Sequence, residues 1–337
     1  MTTCTRILPR ATAIAAVIAV STAVFAQAPQ APAPAPRPDT PAVTRHIDAA
    51  RKAAGSEWTQ AVDFICSVSA NRANRPDDPL IEPTKLFDNL YAIGRIGTMV
   101  YAITTSDGIV LIDSGYADQL ESVLLPGMRK LGLDPANVKY VLLGHGHADH
   151  FGAAAYFQQR GARVVSSAID WDLMETPPAP ARGGGPAPDG PTPPKRDVAA
   201  VEGQGITVGD VTFTPVLIPG HTAGSLAYIF PVREGRNTYM AGLYGGTILT
   251  PGRISDEAMR QYVSSIAHYR EYARKLNVDV ELQNHPLYDG MDAKLARLKE
   301  RKPGQPHPFV IGRDGYQRFL TVMSECTQAQ LERRKLS

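Results

Sequence analysis

Apolar positions in this chain recur with two periods. Gly97 to Thr105 (GTMVYAITT) and Gly108 to Asp113 (GIVLID) are apolar runs separated by Ser106-Asp107. So short a polar break predicts neighbouring buried strands joined by a tight turn. Val138 to Leu143 (VKYVLL) predicts the next strand, which runs straight into Gly144-His145. Further strands are predicted over Ala162 to Ser166, Ile206 to Val208, Val211 to Leu217, Leu226 to Pro231, Thr238 to Ala241 and Val278 to Leu282. The second period is helical. Within Ile254 to Leu276, residues Met259, Val263, Ile266, Tyr269 and Ala273 recur at spacings of three and four. The tyrosines there, Tyr262, Tyr269 and Tyr272, read as packing residues. Helices are also predicted over Val43 to Val68, Gln119 to Leu131 and Gly152 to Gln159, and in two C-terminal segments opening near Asp292 and Tyr316. Several strands end in a histidine-bearing loop, with helices between and after them. Such an order predicts a two-sheet core with helices outside and a site on the loops.

Three segments break these patterns. At the N-terminus, Arg6 and Arg10 lead into an apolar run, Ala11 to Ala26, that ends in Val24-Phe25-Ala26. A positive start, a short apolar stretch and small residues at the end are the marks of a cleaved secretory signal, so residues 1–26 are expected to be removed after Ala26. Periplasmic or secreted location follows as an expectation. Residues 27–42 are rich in proline and alanine and predict a stiff linker. Residues 43–85 predict an N-terminal helical segment, and 86–337 the main domain. Residues 176–194 (TPPAPARGGGPAPDGPTPP) exclude a core element. A mobile loop and a cover over bound substrate, with Trp171 beside it, both remain open.

Composition changes the picture in two places. The formal charge is +2. Loss of Arg6 and Arg10 with the signal brings it to zero, which gives no global reason to bind nucleic acid or acidic lipid. After the first thirty residues nothing is apolar enough, for long enough, to span a bilayer, so no stable membrane insertion is expected once the signal is cut. Of the three cysteines, Cys4 leaves with the signal and Cys66 and Cys326 remain. In an oxidising compartment they either pair, tying an N-terminal helix to a C-terminal one, or stay separate buried thiols. The sequence does not decide between these.

The chemistry is concentrated in Gly144-His145-Gly146-His147-Ala148-Asp149-His150. Four candidate metal ligands fall within six residues, directly after an apolar strand. Alternate residues 145 and 147 share a side of an extended backbone, and Asp149 and His150 turn toward a second point as a helix begins. Packing explains such a cluster poorly, because desolvated imidazoles repel one another once protonated. Two more histidines follow strands: His221 in Pro219-Gly220-His221-Thr222-Ala223-Gly224, and His285 in Asn284-His285-Pro286. An imidazole and carboxylate set without sulfur suits a catalytic zinc site. His46, His268 and His307 need no function.

The segment HGHADH resembles the H-x-H-x-D-H motif of the metallo-β-lactamase superfamily, and PGHTAG and NHP match its remaining ligand positions. The resemblance covers roughly Leu86 to Arg301. It implies an α/β fold, the αββα four-layer sandwich with two mixed sheets and helices on the outer faces. It also implies two Zn2+ per chain, the first held by His145, His147 and His221 and the second by Asp149, His150 and His285. The six-ligand pattern and the tail (NHPLYDG, RKPGQPHPFV, GYQRFL) resemble the third subclass of class B β-lactamases. The expected reaction is opening of a β-lactam ring by a zinc-bound hydroxide, with Asp149 as the catalytic group and no covalent intermediate. The substrate would be a small molecule, a β-lactam or a related cyclic amide or ester. Asp113, in Leu111-Ile112-Asp113-Ser114-Gly115, resembles the aspartate that fixes a ligand histidine from behind. One stretch departs from the family. Met240 to Gly246 (MAGLYGG) holds no aspartate where many members carry one that bridges both metals. Tyr244 and Thr247 stand nearby as candidate substrate contacts. Two alternatives are a hydrolase of another lactone, ester or thioester, and a zinc-binding protein without catalysis.

Overall fold

A computed structural model describes residues 1–2, 38–67, 78–176, 191–249 and 254–335. Contacts divide the chain into Met1–Pro38 and Asp39–Ser337, and every helix and strand described below lies in the second unit. All but the first two residues of the expected signal, most of the expected linker and the centre of the 176–194 insertion lie outside the described residues.

One sheet has seven strands in sequence order: β1 (Leu80–Phe87), β2 (Leu90–Arg95), β3 (Thr98–Thr105), β4 (Gly108–Ile112), β5 (Val138–Leu142), β6 (Arg163–Ser166) and β7 (Val198–Ala199). The first four run antiparallel and β4 to β7 run parallel. The side-chain period of two sorts these strands into two cores. On β3, Met99, Tyr101 and Ile103 face one core, while Val100 and Ala102 face the other. On β4, Val110 and Ile112 join the first core and Ile109 and Leu111 the second. Both faces of this sheet are therefore covered, which is why its sequence reads as continuous apolar runs rather than as alternation.

The second sheet has five strands, β8 (Ile206–Val208), β9 (Val211–Leu217), β10 (Leu226–Glu234), β11 (Asn237–Tyr244) and β12 (Val280–Leu282), ordered β12-β11-β10-β9-β8. Only β11 and β12 pair in parallel, joined by the crossover helix α7 described below. The two mixed sheets and their helices form the expected four-layer α/β fold.

The helices are α1 (Pro41–Ala54), α2 (Thr59–Ile65), α3 (Leu125–Lys130), α4 (Ala148–Phe151), α5 (Ala154–Gln158), α6 (Ala168–Glu175), α7 (Asp256–Lys275), α8 (Met291–Glu300) and α9 (Gly312–Arg334). α1 begins inside the expected linker, because Thr40 caps it and Pro41 suits a first turn. Gly55, at φ +56°, ends α1, so the helix expected over Val43 to Val68 is broken in two. Gln119 to Leu131 likewise differs from one regular helix. A 3-10 turn and a π turn at Leu120–Leu124 precede α3, whose second residue is Pro126. Proline lacks the N–H that a continuous α-helix would need there. α9 packs against α1, α2 and α7. Cys66, at the end of α2, forms a disulfide with Cys326 of α9, which settles the pairing left open above.

Candidate metal centre

Six side chains from three strand ends meet at one edge of the paired sheets. His145 and His147 follow β5, and α4 then presents Asp149 and His150. His221 follows β9, and His285 follows β12. One ligand atom from each of His145, His147 and His221 lies within 4.8 Å of the others, and so it is for His145, Asp149 and His150. His285 completes the second group: its Nε2 is 3.1 Å from Nε2 of His150 and 3.6 Å from Oδ2 of Asp149. The structure thus brings together all six expected ligands, although they span 141 positions of sequence from His145 to His285.

The hydrogen bonds behind the rings fix which nitrogens face inward. Nδ1 of His145 donates to the carbonyl of Gly245 at 2.6 Å, and Nδ1 of His221 to that of Ile248 at 2.5 Å. Nδ1 of His285 donates to the carbonyl of Gly97 at 2.5 Å. Nδ1 of His150 donates to Oδ2 of Asp113 at 2.7 Å. Carbonyl and carboxylate oxygens only accept, so each of these Nδ1 atoms carries the proton and a neutral ring keeps a lone pair on Nε2. Yet Nε2 of His145 and Nε2 of His221 stand 2.9 Å apart, and Nε2 of His221 is 3.1 Å from Nδ1 of His147. Lone pairs converging at such distances repel. Electron-pair donors held this way suit divalent cations, and the N/O donor set suits zinc.

The electrostatics agree. Burial and the neighbouring rings hold His145 well below its ordinary value and His221 down to about 3, so both rings stay neutral. Burial opposes charge on His150, but the carboxylates of Asp149 and Asp113 outweigh it and push that ring up to about 10. Burial works against ionisation of Asp149, but His150 and His285 hold its carboxyl well below the usual range. A cation displacing the His150 proton would take over the same attraction.

Asp113 lies behind His150. Its φ of +60° is unusual for a non-glycine residue. Its Oδ1 accepts the Gly144 N–H at 2.7 Å, while Oδ2 accepts His150 and the amide of Asn284 at 3.2 Å. Gly245 shows why no aspartate is found in the departing stretch at this point. A Cβ there would fall 2.2 Å from the Leu226 carbonyl oxygen. Backbone fills the space, and its carbonyl holds both His145 and Asn284.

The candidate substrate contacts differ from expectation. Tyr244 is fully buried, packed edge-on against Tyr262 and Tyr269, so it cannot reach a ligand in the cleft. Thr247 is 1% exposed, and its hydroxyl is bonded to the Tyr244 carbonyl and Gln283. Trp171, before the 176–194 insertion, is buried in the second core and donates to the Val198 carbonyl at 2.9 Å. Tyr116 and Leu173 are instead exposed near the ligands, and a methyl group of Leu173 lies against Gly146. Asp170 was missed altogether. It is buried on α6 and hydrogen-bonded to two of the three histidine-bearing loops, those of His145 and His221. A cavity of about 840 Å3 lies elsewhere: Trp58, Asp289, Lys294, Arg297 and Arg301 line it, and none of the six candidate ligands does.

The family model of the metallo-beta-lactamase superfamily matches residues 93–234. The crystal structure of BJP-1, a subclass B3 metallo-beta-lactamase of Bradyrhizobium japonicum, is 30% identical with a TM-score of 0.64, covering 76% of this chain and 97% of that one. The chain belongs to the metallo-β-lactamase superfamily. A hydroxyacylglutathione hydrolase of Cereibacter sphaeroides is 33% identical over 27% of this chain and 28% of its own length. The N-acyl homoserine lactonase AttM of Azorhizobium caulinodans is 31% identical over 38% of this chain and 57% of its own length. The chain thus matches these two curated relatives over less than two thirds of their lengths. Its histidine-bearing loops follow β5, β9 and β12 and bring together a histidine-rich candidate metal site on that superfamily's fold.

Proposed function

We propose that this chain is an exported hydrolase that opens β-lactam rings at a two-zinc centre. His145, His147 and His221 would hold one ion, and Asp149, His150 and His285 the other. The observation that carries the reading is the inward convergence of the Nε2 atoms of His145, His221 and His285, each ring braced from behind by a backbone carbonyl. Bound zinc supplies a Lewis acid for the carbonyl and a water that ionises near neutral pH. The chain's own residues do the rest. Asp149, partly open to the cleft, takes up the proton of the attacking water at its carboxylate and passes it toward the departing ring nitrogen. Asp113 keeps the proton of His150 on Nδ1. Leu173 and Tyr116 offer an apolar rim on which the body of a substrate can rest. Cys66 and Cys326 are tied in a disulfide, which removes both thiols as nucleophiles and favours a direct hydrolysis without an acyl-enzyme.

The likeness to a subclass B3 enzyme along nearly its whole length supports the lactam substrate. The disulfide supports export, since such bonds persist in oxidising compartments. All but the first two residues of the expected signal, residues 1–26, lie outside the described residues. Among the described residues no helix is long and apolar enough to cross a membrane. A second substrate class, lactones and thioesters, is favoured by the two curated relatives. Hydrolysis of nitrocefin and a carbapenem by zinc-loaded protein, with and without chelator, tests the reading. Turnover abolished by chelator and restored by zinc is the expected result. Two bound zincs with no lactam turnover would overturn the substrate, and an acyl homoserine lactone and a glutathione thioester would then be assayed.

A further inference from the structure

The HGHADH loop extends β5 in the seven-stranded sheet, and the PGHTAG loop extends β9 in the five-stranded one. The three-histidine group therefore depends on how two different sheets are held at their ends. Asp170 bonds to both loops. Its Oδ2 accepts the Gly146 N–H at 2.8 Å, between His145 and His147, and also the Thr222 hydroxyl at 2.8 Å, next to His221. Its Oδ1 accepts the Gly224 N–H at 3.1 Å. Ser167 caps α6 through the Asp170 N–H at 3.0 Å, and Ser225 bonds the Thr222 hydroxyl at 2.7 Å, so both ends of the bridge are themselves fixed. The fit is close: a Cβ on Gly224 would fall 2.6 Å from Oδ1 of Asp170 and 2.2 Å from the Ser167 hydroxyl.

Packing alone accounts poorly for a carboxylate here. Asp170 is 0% exposed, and among the described residues no lysine or arginine bonds to it. A buried anion without a cation is costly, and an apolar residue would bridge two loops more cheaply. The cations that would offset this charge are those of the metal centre, whose candidate ligands adjoin Gly146 and Thr222 in sequence. We infer that Asp170 is a positioning residue, which clamps the loops of the two sheets so that His145, His147 and His221 share one metal ion. The inference rests on the zinc reading above and names no substrate.

Two substitutions in the full chain test it. Asp170→Asn keeps shape but supplies one acceptor oxygen for three donors, so an amide N–H must face a backbone N–H or the Thr222 hydroxyl. Thr222→Val removes one of the three bonds to Asp170, together with the Ser225 contact, and leaves the charge. Zinc affinity is read by competition with a chromophoric chelator, and the ligand field by the visible spectrum of the cobalt-substituted protein. Asp170→Asn is expected to weaken one of the two zinc-binding steps by about 10–100-fold, with the other step and the far-ultraviolet circular dichroism unchanged. Thr222→Val should weaken the same step by less, and both variants should alter the cobalt spectrum. A merely structural role would lower the unfolding midpoint of the metal-free protein and leave zinc affinity and the cobalt bands in place. A folded Asp170→Asn protein with both steps within about threefold of the parent overturns the inference. If Asp170→Asn fails to fold, parent-like zinc binding by Thr222→Val overturns it equally. A parent chain that takes up no zinc overturns the zinc reading and this inference together. Zinc uptake without lactam turnover touches the substrate assignment alone.

Discussion

Asp113→Asn separates charge and proton placement from backbone shape. Asparagine tolerates the left-handed conformation that Asp113 adopts at φ +60°, so the chain path is preserved. The carboxylate receives three donors: the Gly144 N–H and His150 Nδ1, both at 2.7 Å, and the Asn284 amide at 3.2 Å. An amide offers one acceptor oxygen and one NH2. With the oxygen toward Gly144, the NH2 meets His150, whose ring must move its proton to Nε2 and lose the lone pair that faces Asp149 and His285. With the oxygen toward His150, the Gly144 N–H is buried without a partner, one residue before His145. Either outcome costs about 1–3 kcal/mol, roughly one to two decades in affinity for the zinc held by Asp149, His150 and His285. Chelator competition measures the affinity, and urea unfolding of the metal-free protein checks that the fold survives. A folded Asp113→Asn protein that binds both zincs within about twofold of the parent would refute the argument from proton placement.

Other consequences follow from residues away from the ligands. Reduction of Cys66–Cys326, which lie 260 positions apart, is expected to lower the urea midpoint, with about 2–5 kcal/mol lost; Gln330 and Arg333 still bond the end of α2, so an unchanged midpoint would show that the loss of the cross-link matters little in the unfolded chain. Burial pushes the carboxyl of Glu281 up to about 7 even though Lys294 bonds to it at 2.9 Å. The folded chain then keeps a proton that the unfolded chain releases, so this group's contribution to stability falls by up to a few kcal/mol as pH rises from about 4.5 to about 7. Glu281→Gln should flatten that slope in urea midpoints taken across the window, and an unaltered slope would sink the assignment. Leu173→Asp should raise KM several-fold for substrates with an apolar flank, about 1 kcal/mol of lost contact, while zinc content stays at the parent level; a change in kcat with KM unmoved would contradict the rim.

The ligand set was legible because most of it is local. All six candidates sit in motifs that follow apolar strands, and β3, β4 and β5 announce themselves through unbroken apolar runs. β1 was missed for a physical reason. It is an edge strand that carries Glu82, Pro83 and Lys85, and its burial does not alternate. Tyr244 and Thr247 were misplaced because proximity in sequence to His221's sheet says nothing about which way a side chain points at the end of β11. Asp170 left no signal of its own. A single aspartate between apolar neighbours looks like a solvated residue until the fold lays its helix across two loops. The carbonyls of Gly97, Gly245 and Ile248 could not be read at all, since every residue owns a carbonyl and only the chain path decides where it aims.

Those three carbonyls bear on how such a protein diversifies. Each grips a ring that belongs to a distant stretch of chain, and the gripping atom carries no side-chain identity. At Ile248 in particular, a new side chain can appear without loosening His221, provided the main chain keeps its course. Lineages sharing this scaffold can therefore rewrite the walls that meet a substrate while inheriting the metal cradle intact, and the part under strictest inheritance is a route through space rather than a string of letters.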